Sequence, residues 1–255
     1  MSRFEPLVSI IMPAYNAEAT IQSSIESVVA QTYPNWELIA IDDKSHDATH
    51  RIVKAIAAQD PRIRLYSNGQ NLGTAETRNY GISQSQGQYI AFLDSDDLWH
   101  ADKLTRQLEF MKETGATISY TSTAYIYEGT RSNYILRAKQ QLTYRELLKR
   151  NLMSCSSVMV CRDMVNQTPF VKGDNHEDYA LWLKILRKVK YAHGLDEPLL
   201  IYRVSHSSKS GRLFRSGIMT YRTFRSVGFM SFFALLLTLR YALHSVRKRV
   251  LIRRL

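Results

Sequence analysis

Two acidic clusters carry the chemistry most directly readable from this 255-residue chain. Asp94-Ser95-Asp96-Asp97 follows the apolar run Tyr89–Leu93. Carboxylates two apart at a strand terminus can share a hard divalent cation, because Mg2+ or Mn2+ is normally held by one or two carboxylates plus phosphate oxygens. A cation so placed neutralises a diphosphate leaving group. The same residues also read as an acidic loop leading into a helix near Ala101, with Asp97 and Asp102 as its caps. The second cluster, Asn175-His176-Glu177-Asp178, opens the helical pattern Tyr179–Val189. A helix N-terminus favours the ionised carboxylate, which is also what plain complementation of the helix dipole gives. Asp42-Asp43 closes another apolar run and can accept hydrogen bonds from a base or ribose, or form an Asx turn before Lys44-Ser45. Arg78 can pair with a carboxylate or a phosphate, or lie on the surface.

The elements that must position these groups follow from hydrophobic patterning. Leu7–Met12, Trp36–Ile41, Ile63–Tyr66 and Tyr89–Leu93 read as buried strands. Helical periodicity covers Glu18–Gln31 and Thr74–Ser85, and Asp47 can cap a helix running to Ala58. Strands alternating with crossover helices imply a parallel sheet covered on both faces, with ligands at the carboxyl ends of its strands. Pro13-Ala14-Tyr15-Asn16, Asp42-Asp43 and Asp94–Asp97 all fall at such ends. Beyond residue 100 the spacing predicts one or two strands over Thr117–Tyr127, a helix over Thr143–Arg150, strands at Ser157–Cys161 and Leu199–Tyr202, and the helix Glu177–Val189. Trp99 and Trp182 could stack on a sugar, although helix packing is the commoner use of such rings.

Composition bounds the class. With 45% hydrophobic residues the chain can build a core, and two cysteines exclude a disulfide scaffold. The net charge of +11 is uneven: residues 198–255 hold 12 Lys/Arg and no Asp or Glu, which leaves 1–197 at −1. Nucleic-acid binding is therefore not expected, since the body offers no wide basic surface. The N-terminus lacks the pattern of an export signal, and Cys155 and Cys161 read as buried, unpaired thiols of a cytosolic body.

Taken together, Val8-Ser-Ile-Ile-Met-Pro-Ala-Tyr-Asn16, Ser27-Val-Val-Ala-Gln-Thr-Tyr33, Glu37-Leu-Ile-Ala-Ile-Asp-Asp43, Asn71-Leu-Gly73, Thr77-Arg-Asn-Tyr-Gly81 and Phe92-Leu-Asp-Ser-Asp-Asp97 resemble the family 2 glycosyltransferases of GT-A fold. The resemblance spans about residues 6–205 and is nearest to small bacterial enzymes of teichuronic acid, O-antigen or capsule type. It implies an α/β fold with a Rossmann-like, mostly parallel sheet flanked by helices. Residues 1–100 would form a nucleotide-binding half and 101–205 an acceptor-binding half. It implies an inverting, metal-dependent transfer of one sugar from a nucleotide-sugar, with UDP the common nucleotide. The acceptor would be a polyprenyl-diphosphate-linked or other surface glycan. No Gln-x-x-Arg-Trp motif of processive synthases is present. By the same resemblance Pro13, Tyr15, Asn16, Asp43, Arg78, Asp94 and Ser95 would hold the nucleotide. Asp96 would hold Mn2+ or Mg2+, with His206 as a further metal ligand or diphosphate donor. Asp178 would be the catalytic base, with Glu177 orienting the acceptor or the loop. An inverting transfer needs such a base to deprotonate the attacking hydroxyl.

Residues 206–255 read as a basic amphipathic helical tail suited to an anionic membrane surface on the cytoplasmic side, with a partner helix as the competing reading. Ser231, Thr238, Ser245 and Arg249 mark its polar face. Two alternative functions share the layout. A nucleotide-sugar-forming nucleotidyltransferase would need a Gly- and Lys-bearing loop after the first strand, which Pro13–Asn16 lacks. A non-catalytic glycan-binding module would not need the two carboxylate clusters.

Overall fold

The structure, a computed structural model, describes residues 5–127, 129–173, 175–204 and 213–252. One ten-stranded sheet runs through it. Its first half is the expected parallel unit: β1 (Val8–Ala14), β2 (Trp36–Asp42), β3 (Ile63–Ser67) and β4 (Tyr89–Phe92) stand in the order β3-β2-β1-β4. Every residue of β2 is buried, as a strand covered on both faces requires. Helices α1 (Ile21–Val29), α2 (Thr49–Ala57) and α3 (Thr74–Gln84) make the crossovers.

The second half departs from a simple alternation. β5 (Leu98–Trp99) leads to helix α4 (Lys103–Thr114), and Thr117–Tyr127 yields the single strand β6 (Ile118–Tyr127). β7 (Thr130–Leu136) pairs with β6, and β8 (Gln141–Leu142) with β10. Helix α5 is shortened to Tyr144–Leu147, where Thr143 and Glu146 form a reciprocal capping box. β9 (Val158–Cys161) lies antiparallel between β4 and β6, and α6 (Arg162–Asn166) follows it. Helix α7 (Glu177–Ile185) ends four residues before the apolar pattern does. β10 (Ala192–Val204) is far longer than the expected Leu199–Tyr202. It runs parallel to β6 and slips register between Leu195 and Leu200.

Pleating divides the core. Ile10, Met12, Leu38 and Ala40 meet Ile21, Ile25 and Val53 on one face. Ile11, Ile41 and Phe92 meet Ile82, Tyr179 and Trp182 on the other. The second cluster also takes in Phe224 of α8 (Leu213–Ser226), Val227, and Ala234 of α9 (Ser231–Ile252). The C-terminal helices are thus built into the body, whereas the sequence suggested an appendage beginning at 206.

Candidate active site

The ends of β2, β1 and β4 are neighbours, so the three polar segments after them share one edge of the sheet. The first two loops are laced together. Asn16, in the left-handed region (φ 48°), donates from its backbone to Ser45 Oγ at 3.0 Å and accepts from the His46 backbone at 2.9 Å. The Ala17 backbone donates to Thr49 Oγ1 at 2.7 Å. This fixes the β1–α1 corner while Tyr15 stays 47% exposed, edge-on to His46. Pro13 is half-buried at the end of β1.

Asp43 is turned inward. Its carboxylate accepts from Asn68 Nδ2 at 2.7 Å and from the Leu72 and Gly73 backbones, each at 2.8 Å. Gly73 sits at φ 86°, a conformation that favours glycine, immediately before α3. Asp43 therefore shapes the loop that launches α3.

Arg78 on α3 occupies the centre. Its side chain is 3% exposed; Nη2 donates to Asp94 Oδ1 at 2.6 Å and Nη1 to Glu177 Oε1 at 3.2 Å. The resemblance expected Arg78 on the nucleotide. Here each terminal nitrogen donates to a carboxylate. Arg78 thus ties the acidic loop after β4 to the start of α7. Phe170 lies under the guanidinium, 5.3 Å from the ring centroid, and the Asn79 side chain clamps the Phe170 backbone through two hydrogen bonds of 2.9 and 3.0 Å.

The acidic loop is ordered by groups that the sequence did not single out. The Asp94 backbone donates to Ser156 Oγ at 3.0 Å, and the Ser95 carbonyl accepts from Thr20 and Ser24. Asp97 is buried rather than capping α4, and accepts from the Arg203 backbone at 3.2 Å. Burial and then the charges of Asp96 and Asp94 push its carboxyl well up. Asp96 remains accessible, but desolvation by the surrounding protein and then the like charge of Asp94 raise its carboxyl to about 6. Among the described residues no three His, Cys, Asp or Glu side chains cluster as a metal site. His206 lies outside the described residues.

Asp178 stands in the first turn of α7, with Oδ1 accepting from the Tyr179 backbone at 2.7 Å. Burial, then Glu177, raises its carboxyl above the usual range, while Arg78 and His176 oppose the rise. The helix start is braced from behind. The His176 backbone donates to Thr223 Oγ1 of α8 at 3.0 Å, and the Tyr179 hydroxyl donates to the Leu147 carbonyl at 2.8 Å. Ser156 and Thr223 carry no local motif; only the tertiary pairing exposes their roles. Trp99 and Trp182 are buried, in keeping with packing rather than sugar stacking. Both cysteines are free, Cys155 buried beside the Arg78 charge and Cys161 half-buried.

Comparison with known proteins agrees with this architecture. The family model "Glycosyl transferase family 2" matches residues 9–168. TuaG of Bacillus subtilis, a glycosyltransferase assigned to teichuronic acid biosynthesis, is 36% identical over 252 residues, covering 98% of this chain and 100% of its own. The Escherichia coli UDP-Glc:alpha-D-GlcNAc-diphosphoundecaprenol beta-1,3-glucosyltransferase WfgD is 41% identical over 215 residues, covering 82% and 81% of the two chains. In fold, the chain is similar to S. aureus TarS 1-349 in complex with UDP-GlcNAc, with a TM-score of 0.72 at 18% identity over 91% of this chain and 70% of that one. It is also similar to the mannosyltransferase PcManGT of Pyrobaculum calidifontis in complex with GDP-Man and Mn2+, with a TM-score of 0.70 at 16% identity, covering 96% and 76%. The edge-clustered carboxylates, the mixed sheet and these likenesses converge: this chain is a glycosyltransferase of GT-A fold and belongs to glycosyl transferase family 2.

Proposed function

We propose that this enzyme moves one sugar, with inversion, from a UDP-sugar to a hydroxyl of a diphosphate-linked lipid glycan at the cytoplasmic face of the membrane. The reading rests above all on the Arg78 bridge, which holds a donor-side carboxylate, Asp94, and an acceptor-side carboxylate, Glu177, on one guanidinium. It sets the base at a fixed distance from the strand end where the nucleotide would lie. The similarity to WfgD, named for a diphosphoundecaprenol-linked acceptor, and the likeness to a UDP-GlcNAc complex support the substrate class.

In this reading Tyr15 and Asn16 flank the base and ribose beyond Pro13, with Asp43 shaping that wall through the Leu72–Gly73 loop. Asp94 and Ser95 line the ribose and phosphate side. The acidic loop is the candidate seat for a divalent cation: Asp96 is accessible, and its carboxyl is raised by desolvation and then by the like charge of Asp94, which a cation would offset. Mn2+ or Mg2+ on Asp96, with His206 as a further candidate ligand, would balance the charge of the departing diphosphate. Asp178 accepts the proton of the acceptor hydroxyl as its oxygen bonds to the anomeric carbon from the face opposite the diphosphate. The anomeric C–O bond to the diphosphate breaks in the same step, and its electron pair goes to the departing nucleotide. Glu177, fixed by Arg78, keeps the start of α7 in register with that trajectory.

The test is incubation of the full chain with a panel of UDP-sugars, Mn2+ and a synthetic GlcNAc-diphospho-lipid, with the anomeric configuration of the product read by NMR. One added sugar of inverted configuration is expected. Retention of configuration, or absence of transfer from every UDP-sugar, overturns the reading.

A further inference from the structure

Helix α9 is apolar on two opposite sides. Ala234 and Thr238 are buried, and Leu237 and Tyr241 pack partly against the core. Thr238 donates to the Ala234 carbonyl and faces the body. The sequence had placed Thr238 on a solvent-facing polar stripe. The structure turns the helix round, and what faces outward is Phe232, Leu236, Leu239 and Leu243, exposed by 67, 48, 58 and 77%. Their spacing of four, three and four residues puts them in one line along the helix. The line is about 16 Å long at the rise of an α-helix. A continuous exposed apolar ridge of this kind marks an interaction surface rather than scattered surface leucines.

The neighbouring helix supplies charge. Helix α8 buries Met219, Thr220, Thr223 and Phe224, and its outer side carries Arg215, Arg222 and Arg225. Arg240 is exposed on α9 itself. No Asp or Glu occurs anywhere from 198 to 255. The two helices form a hairpin through Gly228 at φ 95°.

We infer that the α8–α9 hairpin docks on an anionic bilayer, with the Phe232/Leu236/Leu239/Leu243 ridge lying in the interface and the arginines of α8 against acidic headgroups. An exposed apolar line on a helix packed against one that carries exposed arginines is the composition of a segment lying in the interface plane. No described helix is long and apolar enough to cross a membrane. A second copy is the poorer occupant, because a two-fold contact brings the same cationic surface against itself. The same α8 holds the His176 backbone through the buried Thr223, so docking sets the start of α7 one helix behind the membrane surface. This surface deepens the proposed function, since a lipid-borne acceptor is presented there.

The full chain is mixed with vesicles of 30% phosphatidylglycerol in phosphatidylcholine, and with phosphatidylcholine alone, and sedimented. Binding to the anionic vesicles is expected, with at least a tenfold loss for the double variant Leu236→Glu, Leu239→Glu and a loss of anionic preference for Arg222→Glu, Arg225→Glu. Equal binding by wild type and the double variant, or no binding by wild type, overturns the proposal. So does a wild-type dimer in lipid-free buffer that the double variant dissolves without any change in vesicle binding. Should the charged variant melt early, a fluorophore on Leu239→Cys replaces it: a blue shift on vesicles is expected, and an unchanged spectrum overturns the surface. Transfer to a short-chain, water-soluble diphosphate acceptor is measured in parallel. If the double variant keeps that turnover while losing vesicles, both readings stand. If wild type binds vesicles but transfers to no acceptor, the functional reading falls and the docking surface stands.

Discussion

At the scale of single residues, the site turns on a buried arginine with two acidic partners. Removing one member of such a buried arrangement leaves uncompensated charge, so Arg78→Met is expected to lose about 3 kcal/mol of stability, read by chemical denaturation. It has a second, independent signature. Arg78 lowers the Asp178 carboxyl against burial and Glu177. Without the cation Asp178, the proposed base, holds its proton to higher pH, so the acidic limb of the kcat profile is expected to move upward; Arg78→Lys moves it less. A profile unchanged in Arg78→Met would separate Arg78 from the base. The placement of Asn16, Asp43, Asp94 and Asp96 at one edge of the sheet was legible beforehand, because polar residues directly after apolar runs mark strand ends. The partner of Arg78 was not legible. Ninety-nine residues separate it from Glu177, and neither periodicity nor spacing says which helix start faces which strand end.

Elements hold these groups by close approach. Helix α3 crosses the sheet at Gly81, where an added Cβ would stand 2.6 Å from Ile41 Cδ1 and 2.7 Å from Ile11 Cγ2. Gly81→Ala is expected to cost about 1–3 kcal/mol and to disturb Arg78 one turn earlier, with thermal unfolding and kcat falling together. Helix α4 carries a different strain. Lys103 is fully buried, donates to Gln107 Oε1 at 2.7 Å and lies over the Trp99 ring, and burial lowers its ammonium to about 7. Between pH 7 and the unfolded value near 10.5 the unfolded chain binds more protons, so stability contributed at this position rises with pH. Wild type should gain about 1–2 kcal/mol relative to Lys103→Met between pH 7 and 9 in urea titrations; a constant difference would show that Lys103 keeps its proton throughout. The parallel half of the sheet was readable from its alternating pattern. β5, β7, β8 and the length of β10 were not, because short strands carry mixed polarity and owe their register to partners far along the chain.

Across the whole molecule, the C-terminal helices do two things at once. Their inner faces complete the core through Phe224, Val227 and Ala234 and brace the start of α7 through Thr223; their outer faces carry the arginines and the apolar ridge. A chain cut after residue 204 is therefore expected to lose cooperative folding as well as any membrane affinity, seen as a broadened or absent thermal transition. Charge counting located the basic segment correctly, but could not tell that its apolar residues divide between core and surface. The catalytic claim that this architecture serves is tested most directly by Asp178→Asn, with kcat and UDP-sugar affinity measured on the same preparation. The account predicts donor binding within about twofold of wild type and kcat lower by about three orders of magnitude, at the level expected for loss of a positioned base. Turnover near wild type with binding intact would contradict it.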